Sequence, residues 1–171
     1  MLQQITSENL ARAIETAWQI FPGEIHAEGF WPEVAYKMAI EENNPRFAYY
    51  LALDRESVVG ITGHYPPAGG KPQIWLGWFG VLPNKRRKGY GSEILKATCN
   101  IVAAFGVSEL NLYSRDQDEE PAAHQFFLRC GFEQTGRGEV DGDPVLYFKT
   151  KLPLAAAWVN LTMPALGNSF R

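Results

Sequence analysis

The chain has 171 residues, 46% of them hydrophobic and 20% charged, and a net charge of -3, which gives one domain with a modest extension and argues against disorder throughout. A mildly acidic chain has no global basic footprint, so a nucleic-acid partner would need a local patch of cations. The two cysteines, Cys99 and Cys130, are too far apart for a zinc ligand pair or a disulfide framework, and Glu8, Arg12 and Glu15 break the N-terminal apolar positions, so the expectation is a cytoplasmic protein with no metal and no membrane association.

In chain order, Leu10, Ile14, Ala17, Trp18 and Phe21 recur at helical spacing after Thr6 and Ser7, and Pro22-Gly23 closes this first amphipathic helix. A second helix is expected from about Pro32 to Ile40, stopped by Asn43-Asn44-Pro45, with a loop from Gly23 to Trp31 before it. From Phe47 the period changes. Phe47 to Leu53 and Ser57 to Tyr65, rich in aromatic and β-branched residues, flank Asp54-Arg55-Glu56 as the arms of a hairpin. After a loop from Pro66 to Pro72, Gln73 to Val81 is almost wholly apolar and reads as a central strand buried on both faces.

Ile94, Thr98, Ile101, Val102 and Phe105 then line one helical face, and Gly106 stops that helix before a strand from Glu109 to Ser114, reached by a parallel crossover. Pro121 opens another helix that runs to Arg129 and is closed by Gly131; Phe132 onward and Val145 to Leu152 give two last strands. The alternation predicts a mixed α/β domain over residues 1–152, with 153–171 as a C-terminal extension. Its Trp158, Val159, Leu161 and Met163 would pack either on the domain or on a second subunit in a homodimer.

The segment from Val81 to Ser92 combines what anion binding needs. Gly89 and Gly91 let backbone approach a ligand, the helix beginning near Gly91 directs free N–H groups and its positive dipole end outward, and Lys85, Arg86, Arg87 and Lys88 supply countercharge. A diphosphate is the natural guest. The P-loop pattern is absent, and a dinucleotide fingerprint would need glycine where Ile94 stands.

Val81, Pro83, Arg86, Gly89 and Gly91, followed by Ala123, Phe127, Gly131 and Phe132, resemble the GNAT superfamily of acyl-CoA-dependent N-acyltransferases over about residues 5–152. The resemblance implies a partly splayed central sheet flanked by helices, with acetyl-CoA as the acyl donor and no metal. It assigns the pyrophosphate to the turn carrying Arg86 and to the backbone amides of Arg87, Lys88, Gly89, Tyr90, Gly91 and Ser92. It assigns the pantetheine to the free edge of Phe79, Gly80 and Val81, where the N–H of Phe79 or Gly80 would stabilise the oxyanion.

Two family positions depart from the pattern. The tyrosine that protonates the leaving thiolate falls at Phe127, and the glutamate of some branches falls at Trp75. Tyr113, and beside it Ser114 and His124, are the substitutes for the acid, while a remote Glu28 or Asp116 acting through water would serve as base. An ammonium near pKa 10.4 needs about 4 to 5 kcal/mol to lose its proton at pH 7, an α-amino group near 8 about 1.4, so an acceptor of modest basicity is expected. In this family the loop after the first helix and the strands facing it set acceptor choice. Here that loop brings Glu24, His26, Glu28, Phe30 and Trp31 opposite Tyr65, Trp75 and Trp78, and Glu28, Trp31 and Trp78 are the substrate candidates.

The expected activity is therefore transfer of acetyl from acetyl-CoA to a primary amine of a small molecule or peptide. The rivals are a protein N-terminal acetyltransferase with an open groove, a CoA-binding sensor or structural module without turnover, and, third, a nucleic-acid binder using Lys85 to Lys88.

Overall fold

The computed structural model describes residues 1–22, 46–67, 73–116 and 121–154. The expected second helix and the extension beyond residue 154 lie outside them, as do Glu28 and Trp31. The described elements are β1 (Leu2–Gln4), α1 (Leu10–Ile20), β2 (Ala48–Asp54), β3 (Ser57–Tyr65), β4 (Ile74–Val81), α2 (Tyr90–Ala103), β5 (Glu109–Arg115), α3 (Pro121–Arg129), β6 (Glu133–Val140) and β7 (Asp143–Lys151), with a short 3-10 turn at Pro83–Lys85.

The strands form one seven-stranded sheet in the order β1-β2-β3-β4-β5-β7-β6. Only the central β4–β5 pair is parallel, as the helical crossover through α2 requires. Alternation along each strand sends successive side chains to opposite faces. On one face α1 buries Ala13, Ala17 and Ile20 against Phe47, Tyr49, Leu51 and Ile61. On the other, Leu95, Cys99 and Val102 of α2 and Phe127 of α3 pack on Leu76, Leu110, Leu112 and Phe148. Burying each Leu, Ile, Val and Phe among these contributes about 1.5 to 3 kcal/mol. The polar residues inside this second layer are paired: the Thr62 and Thr98 hydroxyls lie 3.0 Å apart.

Gly106 and Gly131 adopt positive φ, 72° and 80°, where the sequence places the ends of the two helices. The strand β1 has no counterpart in the sequence reading, because three residues with two glutamines show neither an apolar run nor alternation; β2 recruits it through the pairs Leu2–Ala52, Gln3–Leu51 and Gln4–Tyr50. The expectation that Gln73 to Val81 is buried on both faces holds only in part. Ile74, Leu76 and Gly77 are buried, but Trp78 to Val81 are half-buried, because their neighbour β5 turns away.

Candidate functional site

β4 and β5 are joined at only two residue pairs, Ile74–Leu110 and Trp75–Asn111. Beyond them β4 keeps its partner β3 as far as the Gly60–Val81 pair, while β5 continues beside β7 as far as Arg115–Val145. The two central strands therefore diverge, and among the described residues the edge of β4 from Leu76 to Val81 that faces β5 has no ladder. An unpaired strand edge is a row of donors and acceptors ready for an amide-bearing guest.

A bulge shapes that edge. Gly63 pairs with Gly77 and Ile61 with Gly80, so the single residue Thr62 opposes Trp78 and Phe79. Trp78 absorbs the extra residue with φ 45°, and Gly77 and Trp78 consequently share the α1 face of the sheet. Trp78 packs edge-on against Phe21 at 5.1 Å. The end of α1 closes on the strand itself: a Cβ on Gly80 would overlap Ile20. Phe79 points to the opposite face and stacks on Phe126 of α3.

At the end of β4 the turn into α2 turns its N–H groups outward. Arg87 and Gly89 have φ of 62° and 88°, and two left-handed residues within three positions swing neighbouring amides to one side as an anion nest. Among the described residues no backbone carbonyl accepts from the amides of Arg87, Lys88, Gly89, Tyr90 or Gly91, whereas the Ser92 amide donates to the Gly89 carbonyl at 3.0 Å. Of the run expected to face a phosphate, Ser92 is thus engaged within the helix start. Among the described residues a Cβ on Gly89 would meet nothing within 4 Å, and the space above the turn is open. The cations are held close: Arg86 Nε donates to the Val81 carbonyl at 3.1 Å and Lys88 Nζ to that of Asn84 at 3.2 Å. The Tyr90 hydroxyl points away and donates to Asp54 of the β2–β3 hairpin at 2.6 Å, which pins the first turn of α2.

Around the mouth of the gap on the α1 face stand Tyr65, Trp75, Tyr113 and Tyr147. Trp75 lies 6.2 Å from Tyr113 and 6.0 Å from Tyr147, ring to ring. Tyr113 is 40% exposed. Burial raises its pKa, and Asp141 and Tyr147 raise it further, against a hydrogen bond from Tyr65 and the charge of Arg115, which lower it. The hydroxyl stays protonated at neutral pH. The other two substitutes for an acid differ in availability. His124 donates from Nε2 to the Arg115 carbonyl at 2.9 Å, with its ring against Phe148; Ser114 shares β5 with Tyr113 but points to the other face.

Phe127 is 6% exposed within the α2–α3 core and carries no hydroxyl to offer. Trp75 carries no carboxylate, and its indole Nε1 is buried without a hydrogen-bond partner among the described residues. Asp116 is engaged with Arg137 at 3.6 Å. No group of three or more His, Cys, Asp or Glu side chains suited to a metal occurs among the described residues, and no described helix is long and apolar enough to cross a membrane. Both cysteines are buried, and burial pushes the Cys99 thiol up to about 12.

Sequence reasoning did not find Phe126 or Tyr49. The phenol of Tyr49 lies over Gly63 and Gly77, with its hydroxyl buried and unpartnered among the described residues. Only the glycines opposite it, which leave room for a ring, could have signalled that contact.

A family model described as the acetyltransferase (GNAT) family matches residues 10–132. No curated protein matches the sequence. Among solved structures, a chimera of Vibrio cholerae spermidine N-acetyltransferase is similar over 94% of this chain and 98% of its own, with TM-score 0.70 and 14% identity. The ribosomal-protein-alanine N-acetyltransferase of Brucella melitensis covers 89% and 99%, with TM-score 0.66 and 20% identity. The ribosomal-protein-S18-alanine N-acetyltransferase of Escherichia coli covers 100% and 98%, with TM-score 0.64 and 15% identity. At such identities these are likenesses of fold.

Proposed function

The chain belongs to the GNAT family of acetyltransferases and is an acyl-CoA-dependent N-acyltransferase; from that premise we propose that it moves an acetyl group from acetyl-CoA to a primary amine of a small molecule or peptide. The observation that carries the reading is the conjunction at β4: among the described residues, a strand edge without a ladder leads directly into a turn whose amides from Arg87 to Gly91 have no carbonyl partner.

Acetyl-CoA supplies an acyl carbon already activated as a thioester. In this reading the amides of Arg87 to Gly91 and the side chains of Arg86 and Lys88 hold the pyrophosphate. Phe79, Gly80 and Val81 align the pantetheine along the free edge, and the N–H of Phe79 or Gly80 stabilises the oxyanion. Tyr113 gives its proton to the departing sulfur. Trp75, Tyr113, Tyr147 and Trp78 present rings rather than carboxylates to the acceptor, and Glu28 and Trp31 are proposed to complete that side. With no carboxylate at Trp75, an amine that is partly neutral at pH 7 suits the site best, since an α-amino group needs about 1.4 kcal/mol to lose its proton. That favours a free α-amine, including a peptide or protein N-terminus.

The test is thiol release from acetyl-CoA in the presence of an amine panel that spans α-amines of peptides, aryl amines and aliphatic polyamines. Turnover favouring the weakly basic amines supports the reading. Binding of acetyl-CoA with no turnover on any class supports a sensor without catalysis. We also propose that the chain is cytoplasmic and forms a homodimer through the residues after 152.

A further inference from the structure

The side chain of Tyr65 begins on β3 and ends beside β5. Its ring lies against the backbone of Gly77 on β4, where a Cβ would come within 3.0 Å of the Tyr65 ring carbons. The hydroxyls of Tyr65 and Tyr113 share a hydrogen bond. Extending the Trp75–Asn111 register by two residues sets Tyr113 level with Gly77, so the phenol crosses the central strand where the strand has no side chain. The crossing occurs at the first residues beyond the β4–β5 pairing, the mouth of the gap. Phe47 packs on the Tyr65 ring at 6.1 Å from behind, and Trp75 and Tyr147 hold the Tyr113 ring from two sides.

We propose that Tyr65 is a positioning residue of the acyl transfer, carried over Gly77 to hold and orient the Tyr113 hydroxyl toward the leaving sulfur. The proposal rests on the reading that Tyr113 is the acid. As the acceptor nitrogen bonds to the acyl carbon and the carbon–sulfur bond breaks, the sulfur takes the Tyr113 proton. The oxygen left behind is stabilised by the Tyr65 hydroxyl and regains a proton from solvent, to which Tyr113 is open, while the acceptor nitrogen gives its own proton to solvent. The proton count closes at free thiol and amide.

A donated hydrogen bond stabilises the phenolate more than the phenol, so Tyr65 makes Tyr113 a better acid. It works against burial, against Asp141 of the β6–β7 turn and against Tyr147 of β7, with Arg115 of its own strand on the favourable side; Tyr49 of β2 also faces Tyr113, whose charge raises the Tyr49 pKa in turn.

The test uses the full chain labelled with 13C at tyrosine Cζ, the Tyr113 signal being assigned by its loss in Tyr113→Phe. In Tyr65→Phe, which keeps the ring over Gly77, the Tyr113 titration midpoint should rise by about half a unit or more; a midpoint that stays or falls overturns the proposal. In unsubstituted protein the Tyr65 hydroxyl proton should exchange slowly and show a proximity signal to the Tyr113 ring, and its absence overturns the proposal without any variant. With acetyl-CoA and the amine found by the panel, Tyr113→Phe should lower kcat by about 100-fold and Tyr65→Phe by about tenfold, with KM for acetyl-CoA unchanged. Wild-type kcat in Tyr113→Phe sinks the acid reading, whatever the titration shows. A large loss there with no midpoint shift in Tyr65→Phe sinks the positioning role alone.

Discussion

The ring of Phe126 lies flat on that of Phe79, with 5.7 Å between centroids and 13° between planes. The same ring approaches the first turn of α2, where a Cβ on Gly91 would sit 3.5 Å from it. Phe126 thus links α3, the free edge of β4 and the phosphate-binding turn. Stacked aromatics add about 0.5 to 1.5 kcal/mol beyond area burial. Phe126→Ala should cost about 2 kcal/mol in chemical denaturation, less than a fully buried Phe, and weaken acetyl-CoA binding. Stability equal to wild type would show that the stack contributes nothing.

The turn takes left-handed backbone at two nearby positions, strained at Arg87 and free of strain at Gly89. Gly89→Ala meets no steric obstacle but must hold φ at 88°, so it should cost about 1 to 2 kcal/mol from the backbone alone. Arg87→Gly relieves a φ of 62° yet removes a charge. It should leave stability within about 1 kcal/mol of wild type while weakening acetyl-CoA binding. Thermal denaturation and calorimetry on both variants separate strain from charge.

His64 is buried and neutral. Its Nδ1–H donates to the Arg46 carbonyl at 2.9 Å and its Nε2 accepts from the Tyr50 hydroxyl at 3.2 Å; burial lowers its pKa, only partly offset by the Arg46 bond. Below about pH 6.5 the unfolded chain takes up a proton that the folded His64 refuses, so stability falls as pH drops through that value until the depressed folded pKa is reached. The loss of thermal midpoint from pH 7 to 5 should be smaller in His64→Gln. An identical pH dependence in the variant would remove His64 from the account.

Tyr49 carries a buried hydroxyl with no partner among the described residues. Deleting an unpaired polar atom while keeping the ring that covers Gly63 and Gly77 removes a desolvation cost, so Tyr49→Phe should match wild type or gain about 1 kcal/mol in urea denaturation. A loss larger than about 1 kcal/mol would reveal an ordered water or another acceptor on that hydroxyl.

The strand-turn-helix at Val81 to Ser92 was legible because its signals are local: an apolar run, a glycine that must take positive φ, and helical periodicity afterwards. The hairpin at Asp54 to Glu56 and the stops at Gly106 and Gly131 were legible for the same reason. What escaped depends on partners distant in sequence. Which residue of Ile74–Val81 bulges is set by register against β3, and the crossing of Tyr65 over Gly77 needs three strands side by side. Phe127 lacks the hydroxyl of its family position and packs tilted on Phe79 at 5.8 Å, while its neighbour Phe126 is the ring that stacks flat on Phe79, a geometry set by the rotation of α3 on the sheet.

The central claim is that the turn after β4 receives the pyrophosphate of an acyl-CoA, and calorimetric titration of acetyl-CoA into wild type and Gly89→Trp tests it most directly. The account predicts a dissociation constant in about the micromolar range for wild type and binding at least about tenfold weaker once an indole fills the open space above Gly89, in a variant that remains folded. Wild-type protein that is folded and takes up no acetyl-CoA, or a Gly89→Trp variant that binds it equally well, would contradict that claim.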